Sequence, residues 1–223
     1  MNSGEAKPVG NKSAGISGPL QAFQALRRLA PKADNVEHCG LCRQALAPQH
    51  DHLIDPRTRR LLCSCKACAI LFNNPAAQYK RVPKRVRFLP DCDISDAEWD
   101  ALMIPIGIAF FAKQSTGSNA EDHIAAYYPS PAGPVESLLP LDAWQEIAAR
   151  NPALNLLESD TEALLVNRTA HEYFVLPIDE CYRLVGLMRS HWKGLSGGTQ
   201  VWREIQLFFA EMKGRAGIPN RNA

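Results

Sequence analysis

Between residues 104 and 177 short apolar runs alternate with turn residues. IPIGIAFFAK, beginning at Ile104, is apolar at almost every position and predicts a buried strand. HIAAYYPSP, from His123, predicts a second strand, closed by the Pro/Ser/Gly loop PSPAGPVES at residues 129–137, which Tyr127 and Tyr128 flank. EALLVNR and EYFVLPID predict two further strands around a turn. Upstream, from Lys80 onward, RVPKRVRFL alternates basic and apolar residues in the manner of an edge strand, and Pro83 excludes a central position.

Helical spacing occupies the intervals between these runs. In DCDISDAEWDAL, Ser95 and Glu98 have the spacing of a capping box. LDAWQEIAARNP predicts a helix with Asp142 near its start and Pro152 just past its end. DECYRLVGLMRSHWKGL sets Cys181, Leu184, Val185, Leu187 and Met188 on one side, with Asp179 placed as an N-cap; Gly194 to Gly198 interrupt the pattern before TQVWREIQLFFAEMK resumes it. Near the start, PLQAFQALRRLAPK aligns Leu20, Phe23, Leu26 and Leu29 on a short helix ended by Pro31, which either lies on the domain or docks on a partner. No internal repeat is visible. The order predicts an α+β fold, with a zinc-ribbon-like cysteine module followed by an antiparallel sheet with helices packed on one face. The expected divisions are a disordered tail with the short helix at 1–35, the metal-binding module at 36–80, the α+β domain at 81–215 and a flexible tail at 216–223.

Composition narrows the class. With 223 residues, 46% hydrophobic and 22% charged, the chain can build a packed core without disulfides. No window approaches the roughly 18 apolar residues of a membrane span, and the start, MNSGEAKPVGNKSAG, lacks a secretory h-region, so a cytoplasmic protein is expected. In a reducing compartment, seven unevenly spaced cysteines point to metal ligands or buried thiols rather than a disulfide framework. The net charge of +2 conceals an asymmetry: residues 1–90 carry 15 Lys and Arg against 5 Asp and Glu, residues 91–223 carry 10 against 18. Such a split implies two surfaces with different partners, or two regions that attract each other.

The chemistry concentrates in the cysteines. CGLC holds Cys39 and Cys42, CKAC holds Cys65 and Cys68, and 22 residues separate the pairs. Each CxxC lets two thiolates converge on one ion from a tight turn, and a second pair closes a tetrahedral shell, the pattern of structural zinc. The intervening HDHLIDPRTRRLL reads as strand, DPRT turn and return strand. Cys63 is a substitute ligand, because strand alternation puts it on the same face as Cys65; it is otherwise a redox-active, metal-receiving or buried thiol. His38, His50 and His52 lie close by, as outer hydrogen-bond partners or, for the His50/His52 pair, as ligands sharing a second metal with Cys63. Iron or an iron-sulfur cluster is the alternative cofactor, and isolated CxxC pairs on a hairpin favour a mononuclear site.

Other chemistry is sparse. Asp179, Glu180 and His191 are scattered acid/base candidates, and GLSGG lacks the lysine and preceding glycine of a phosphate loop. Cys92 and Cys181 are isolated thiols. The basic stretch from Arg57 to Arg87 could contact phosphates, with only Phe72, Tyr79 and Phe88 to stack on bases.

HCGLCRQAL, HDHLID, RRLLCSCKACAILF, IPIGIAFF, YYPSPAG, EALLVNR and PIDECYRLVGLMRSHWKGLSGG together resemble an uncharacterised bacterial family encoded beside the high-affinity, oxygen-insensitive nickel-iron hydrogenases of the actinobacterial type. The resemblance spans about residues 36–214 and implies a role in hydrogenase maturation or function, without a known reaction. Its cysteines carry over as Cys39, Cys42, Cys63, Cys65 and Cys68. The resulting expectation is a non-catalytic zinc-binding accessory protein whose partner is a hydrogenase subunit or maturation factor. The alternatives are a nucleic-acid-binding zinc-ribbon regulator, and a metal or iron-sulfur transfer or redox protein using Cys63.

Overall fold

The computed structural model describes residues 36–74, 78–115, 122–194 and 197–217. The amphipathic helix expected at 20–29, its surrounding tail and the residues beyond 217 lie outside the described residues. The fold described belongs to the unit that begins at Glu37.

Two antiparallel sheets form among the described residues. The smaller has the order β2-β1-β3, with β1 at Asp51–Asp55, β2 at Arg60–Ser64 and β3 at Lys80–Arg81. The larger comprises β4 (Arg87–Phe88), β5 (Ile108–Gln114), β6 (His123–Ser130), β7 (Gly133–Ser137), β8 (Glu162–Asn167) and β9 (Glu172–Pro177), ordered β4-β9-β8-β5-β6-β7. The helices are α1 (Lys66–Leu71), α2 (Asp96–Ala101), α3 (Leu141–Arg150), α4 (Ile178–His191) and α5 (Gly198–Arg215). The chain is thus α+β with antiparallel sheets, as its apolar patterning predicts.

Helices cover both faces of the larger sheet rather than one. Phe110 and Ala112 of β5, Leu165 of β8 and Phe174 of β9 pack against α4 and α5 through Leu184, Met188, Ile205 and Phe208. The alternate residues Ala109, Phe111, Leu164 and Val175 pack against Trp99 of α2, and Trp144 and Ile147 of α3. This double cover is the physical meaning of the uninterrupted run in β5: successive side chains point to opposite faces, and both faces are dry.

RVPKRVRFL divides at Pro83, which has no N–H to donate to a ladder. Lys80 and Arg81 pair with Ile54 and Leu53 of β1, whereas Arg87 and Phe88 pair with Val175 and Phe174 of β9. Val82 and Val86 are buried between these pieces. Ile54 joins the same apolar cluster as the α4/α5 face of the larger sheet, so β1 is anchored to it.

PSPAGPVES is more ordered than a loop, because its second half forms β7 against β6, with Ser130 opposite Gly133. Pro134 is tolerated there since β7 is an edge strand. The capping box forms as expected: Ser95 Oγ accepts the Glu98 N–H at 3.4 Å, and the Ser95 N–H donates to Glu98 Oε2 at 2.9 Å. Ser95→Ala should lower stability by about 1 kcal/mol, read as a lower urea midpoint at unchanged slope.

Candidate metal centre

The first cysteine pair lies in a tight knuckle. Cys39 N–H donates to Gln44 O at 2.8 Å and Arg43 N–H to Cys39 O at 2.9 Å, while Arg43 takes a left-handed conformation with φ of 66°. Gly40 N–H donates to Cys63 O at 2.8 Å, fastening the knuckle to β2. A side chain at Gly40 would press on Leu62, whose Cδ2 lies 3.3 Å from the Cβ position. The β1–β2 hairpin then leads to the second pair through the DPRT turn, where Asp55 O accepts the Arg59 N–H at 2.7 Å.

The second pair is presented differently, at the start of a helix. Cys65 caps α1, and its Sγ accepts the Cys68 N–H at 3.4 Å. One sulfur from each of Cys39, Cys42, Cys65 and Cys68 lies within 4.8 Å of the other three. Cys39, Cys65 and Cys68 are buried and Cys42 is exposed. The Cys42 and Cys65 sulfurs stand 3.7 Å apart. A tetrahedral site with bonds of about 2.3 Å requires sulfur edges of about 3.75 Å, so this donor set fits a zinc ion, and it also suits mononuclear iron.

Charge supports that fit. Burial opposes ionisation of Cys39, but hydrogen bonding with the backbone of Cys42, Cys65 and Leu41 outweighs it and brings the thiol down to about 6. Cys68 is pushed up to about 12, first by burial and then by its sulfur neighbours. Cys42 is also raised: hydrogen bonding with the Gln44 backbone favours its thiolate, but Cys39, burial and Cys65 prevail. The Cys39 thiolate forms readily while Cys42 and Cys68 are held protonated, a conflict that a divalent cation removes.

Cys63 does not share a site with Cys65. The chain leaves β2 after Ser64 and turns into α1, so strand alternation stops before Cys65. Cys63 lies directly across from His52 in the β1–β2 register. A ring nitrogen from His50, one from His52 and Cys63 Sγ all lie within 4.8 Å of one another. His38 is exposed, forms a bridge with Ala45 and, among the described residues, joins neither group.

Residues 38–216 match a protein family described as a family of unknown function, DUF5947. The chain belongs to this family. No curated protein and no solved structure matches it. The DUF5947 region takes in all seven cysteines and both histidines of the second group.

One site residue of the DUF5947 chain escaped sequence reasoning in its actual role. Asp179 is not the N-cap of α4, a position held by Pro177, but sits in the first turn, where Asp179 Oδ2 accepts the His52 Nδ1–H at 2.7 Å. That hydrogen bond raises the His52 pKa, against the opposing effect of burial. The two residues are 127 positions apart, and no local signal could have linked them. The remaining acid/base candidates serve structure: Glu180 pairs with Arg183 and Arg215, and His191 Nδ1–H donates to Leu187 O at 3.0 Å. Cys92 and Cys181 are buried thiols; burial pushes Cys92 up to about 12 and raises Cys181 well above the usual thiol range.

Much of the basic stretch is neutralised within the fold. Lys80 pairs with Asp160 at 2.7 Å, Arg81 and Lys84 pair with Asp51 at 3.1 and 2.9 Å, and Arg85 pairs with Glu158 at 2.7 Å and Glu162 at 2.9 Å. Arg87 also reaches Glu162, at 3.3 Å. Lys80, Arg85 and Arg87 thus join the basic half of the chain to the acidic half.

Proposed function

We propose that the protein is a non-catalytic accessory protein of the cytoplasm, in which the four-cysteine centre holds a structural zinc ion and the surrounding segment docks on a nickel-iron hydrogenase subunit or one of its maturation factors. The observation that carries this reading is the position of the zinc-ready cluster beneath an exposed apolar helix. Cys65 and Cys68 anchor α1, which spans only six residues. That is well short of the roughly 12–15 residues an isolated helix needs to persist in water. Ile70, Leu71 and Phe72 at its end are nevertheless 59%, 69% and 40% exposed. A metal that fixes three consecutive large apolar residues against solvent is better suited to recognition than to building a core. The resemblance to a family encoded beside hydrogenases supplies the partner class.

Two further observations support this reading. The basic stretch spends much of its charge on internal pairs, leaving less for phosphate contacts, which favours a protein partner over nucleic acid. No helix among the described residues is long and apolar enough to cross a membrane. The test uses purified hydrogenase subunits and maturation factors, titrated one at a time with the zinc-loaded protein. One component should bind, and Ile70→Asp combined with Leu71→Asp should weaken binding at least about tenfold while zinc content stays unchanged. If none of these proteins binds, or if DNA or RNA binds with a steep loss of affinity in salt, the reading is wrong.

A further inference from the structure

We propose that His50, His52 and Cys63 form a second metal site, separate from the four-cysteine centre and open to solvent, for a divalent first-row ion of intermediate softness such as Zn2+, Co2+ or Ni2+. The β1–β2 hairpin builds it. His52 and Cys63 face each other across the ladder, and His50, just before β1 begins, lies within reach of both. The His50 and His52 rings meet edge to face with centroids 4.8 Å apart.

The hydrogen bonds prepare both rings for a metal. His50 Nδ1 lies 2.9 Å from Ala47 O, and a carbonyl can only accept, so Nδ1 carries the proton and neutral His50 has its lone pair on Nε2. His52 Nδ1 lies 2.7 Å from Asp179 Oδ2, which fixes its donor in the same way. An outer carboxylate or carbonyl that holds the distal N–H is the usual support of a ligating histidine. His50 Nε2 is buried and has no hydrogen-bond partner among the described residues, and the His50 side chain is only 7% exposed. Glu37 Oε2 stands 3.5 Å from that nitrogen without forming a hydrogen bond to it. A protonated ring would pair with Glu37, whereas the neutral ring offers this buried acceptor to a metal ion.

The donor set selects the ion. Two imidazoles and a thiolate suit Zn2+, Co2+ and Ni2+ and poorly suit Mg2+ or Ca2+, which prefer oxygen. Three protein ligands leave a coordination position free, unlike the closed four-thiolate shell. His52 is 30% exposed, so the ion can enter and leave from that side. Cys63 is therefore a metal ligand in its own right rather than a spare for the first site, and Asp179 is a positioning residue that ties α4 to the site. None of this depends on the identity of the docking partner.

Co2+ serves as the probe. Anaerobic protein carrying one zinc per chain is titrated with Co2+ while released zinc is followed with a chelating dye. The proposal expects one additional Co2+ per chain, a thiolate-to-cobalt charge-transfer band and no zinc release. Cys63→Ser should abolish the band, His50→Gln should abolish tight binding, and Asp179→Asn should keep the band but weaken binding by about 10- to 100-fold. Zinc content and circular dichroism report whether each variant remains folded, and His50→Gln stands in if Cys63→Ser does not. Wild-type protein that takes no second ion, a band that persists in folded Cys63→Ser, or Co2+ uptake matched by zinc release would each overturn the proposal.

Discussion

Cys65→Ser is expected to strip the zinc from the four-cysteine centre and to unfold the knuckle and α1, whereas Cys63→Ser leaves that zinc in place. The comparison isolates metal binding from capping. Serine at 65 can still cap α1, because its hydroxyl accepts a backbone N–H as the cysteine sulfur does now. Any collapse therefore reports the lost thiolate. Structural zinc contributes apparent binding free energies of about 10–16 kcal/mol in small fingers, comparable with the entire stability of an ordinary domain, about 5–15 kcal/mol. Losing even part of this exceeds what a six-residue helix can hold by itself. The damage should be confined, because Leu53 and Ile54 of β1 are buried independently of the metal. Hydrogen exchange should thus rise at residues 37–48 and 65–74 much more than in β5, β8 and β9. Elemental analysis of the purified variants provides the primary readout. Full zinc retention in Cys65→Ser, or iron with sulfide in the wild type, would contradict a structural zinc centre.

Glu162→Ala should cost about 3 kcal/mol, near the lower end of the range for breaking a buried ion pair. The Glu162 side chain is fully buried and its carboxylate accepts Arg85 Nε–H at 2.9 Å, Arg87 Nη2–H at 3.3 Å and the Glu158 N–H at 3.1 Å. Truncation removes this acceptor from that amide and from Arg87, and leaves Arg85 with Glu158 alone. The arginines are partly exposed, at 52% and 31%, so water recovers some of the loss. The shift in urea midpoint should persist at high salt, since a buried carboxylate is poorly screened. A change of only a few tenths of a kcal/mol would place the interaction among weak surface pairs. It would also leave Arg85 and Arg87 freer for phosphates, which favours the nucleic-acid reading.

The strand runs, the capping box at Ser95 and the hairpin between the cysteine pairs were legible because each depends on residues within one element. Period-2 and 3.6-residue patterns, a cap three positions from its partner and a turn flanked by strands are local physics. The cysteine spacing belongs to the same class. Two CxxC motifs around a hairpin can bring four sulfurs together with little help from the rest of the chain.

What the local pattern could not convey was cover and direction. An uninterrupted apolar strand does not say what lies above or below it, so the second helical layer, α2 and α3, appears only once the sheet is assembled. Pro83 signalled an edge, but which sheet each half of RVPKRVRFL would join depended on β1 and β9, one before it in the chain and one far beyond. Strand alternation paired Cys63 with Cys65 until the turn into α1 separated them. The sequence alone therefore determined an α+β chain with two antiparallel pairings, a capped α2 and four cysteines able to meet. Tertiary structure decided that Asp179 would hold His52 and that Glu162 would gather Arg85 and Arg87, whereas the meeting of Cys63 with His50 and His52, one of the alternatives open in the sequence, is made within a single hairpin. The contacts of Asp179 and Glu162 join elements up to 127 residues apart, and such distances close only when the apolar faces pack.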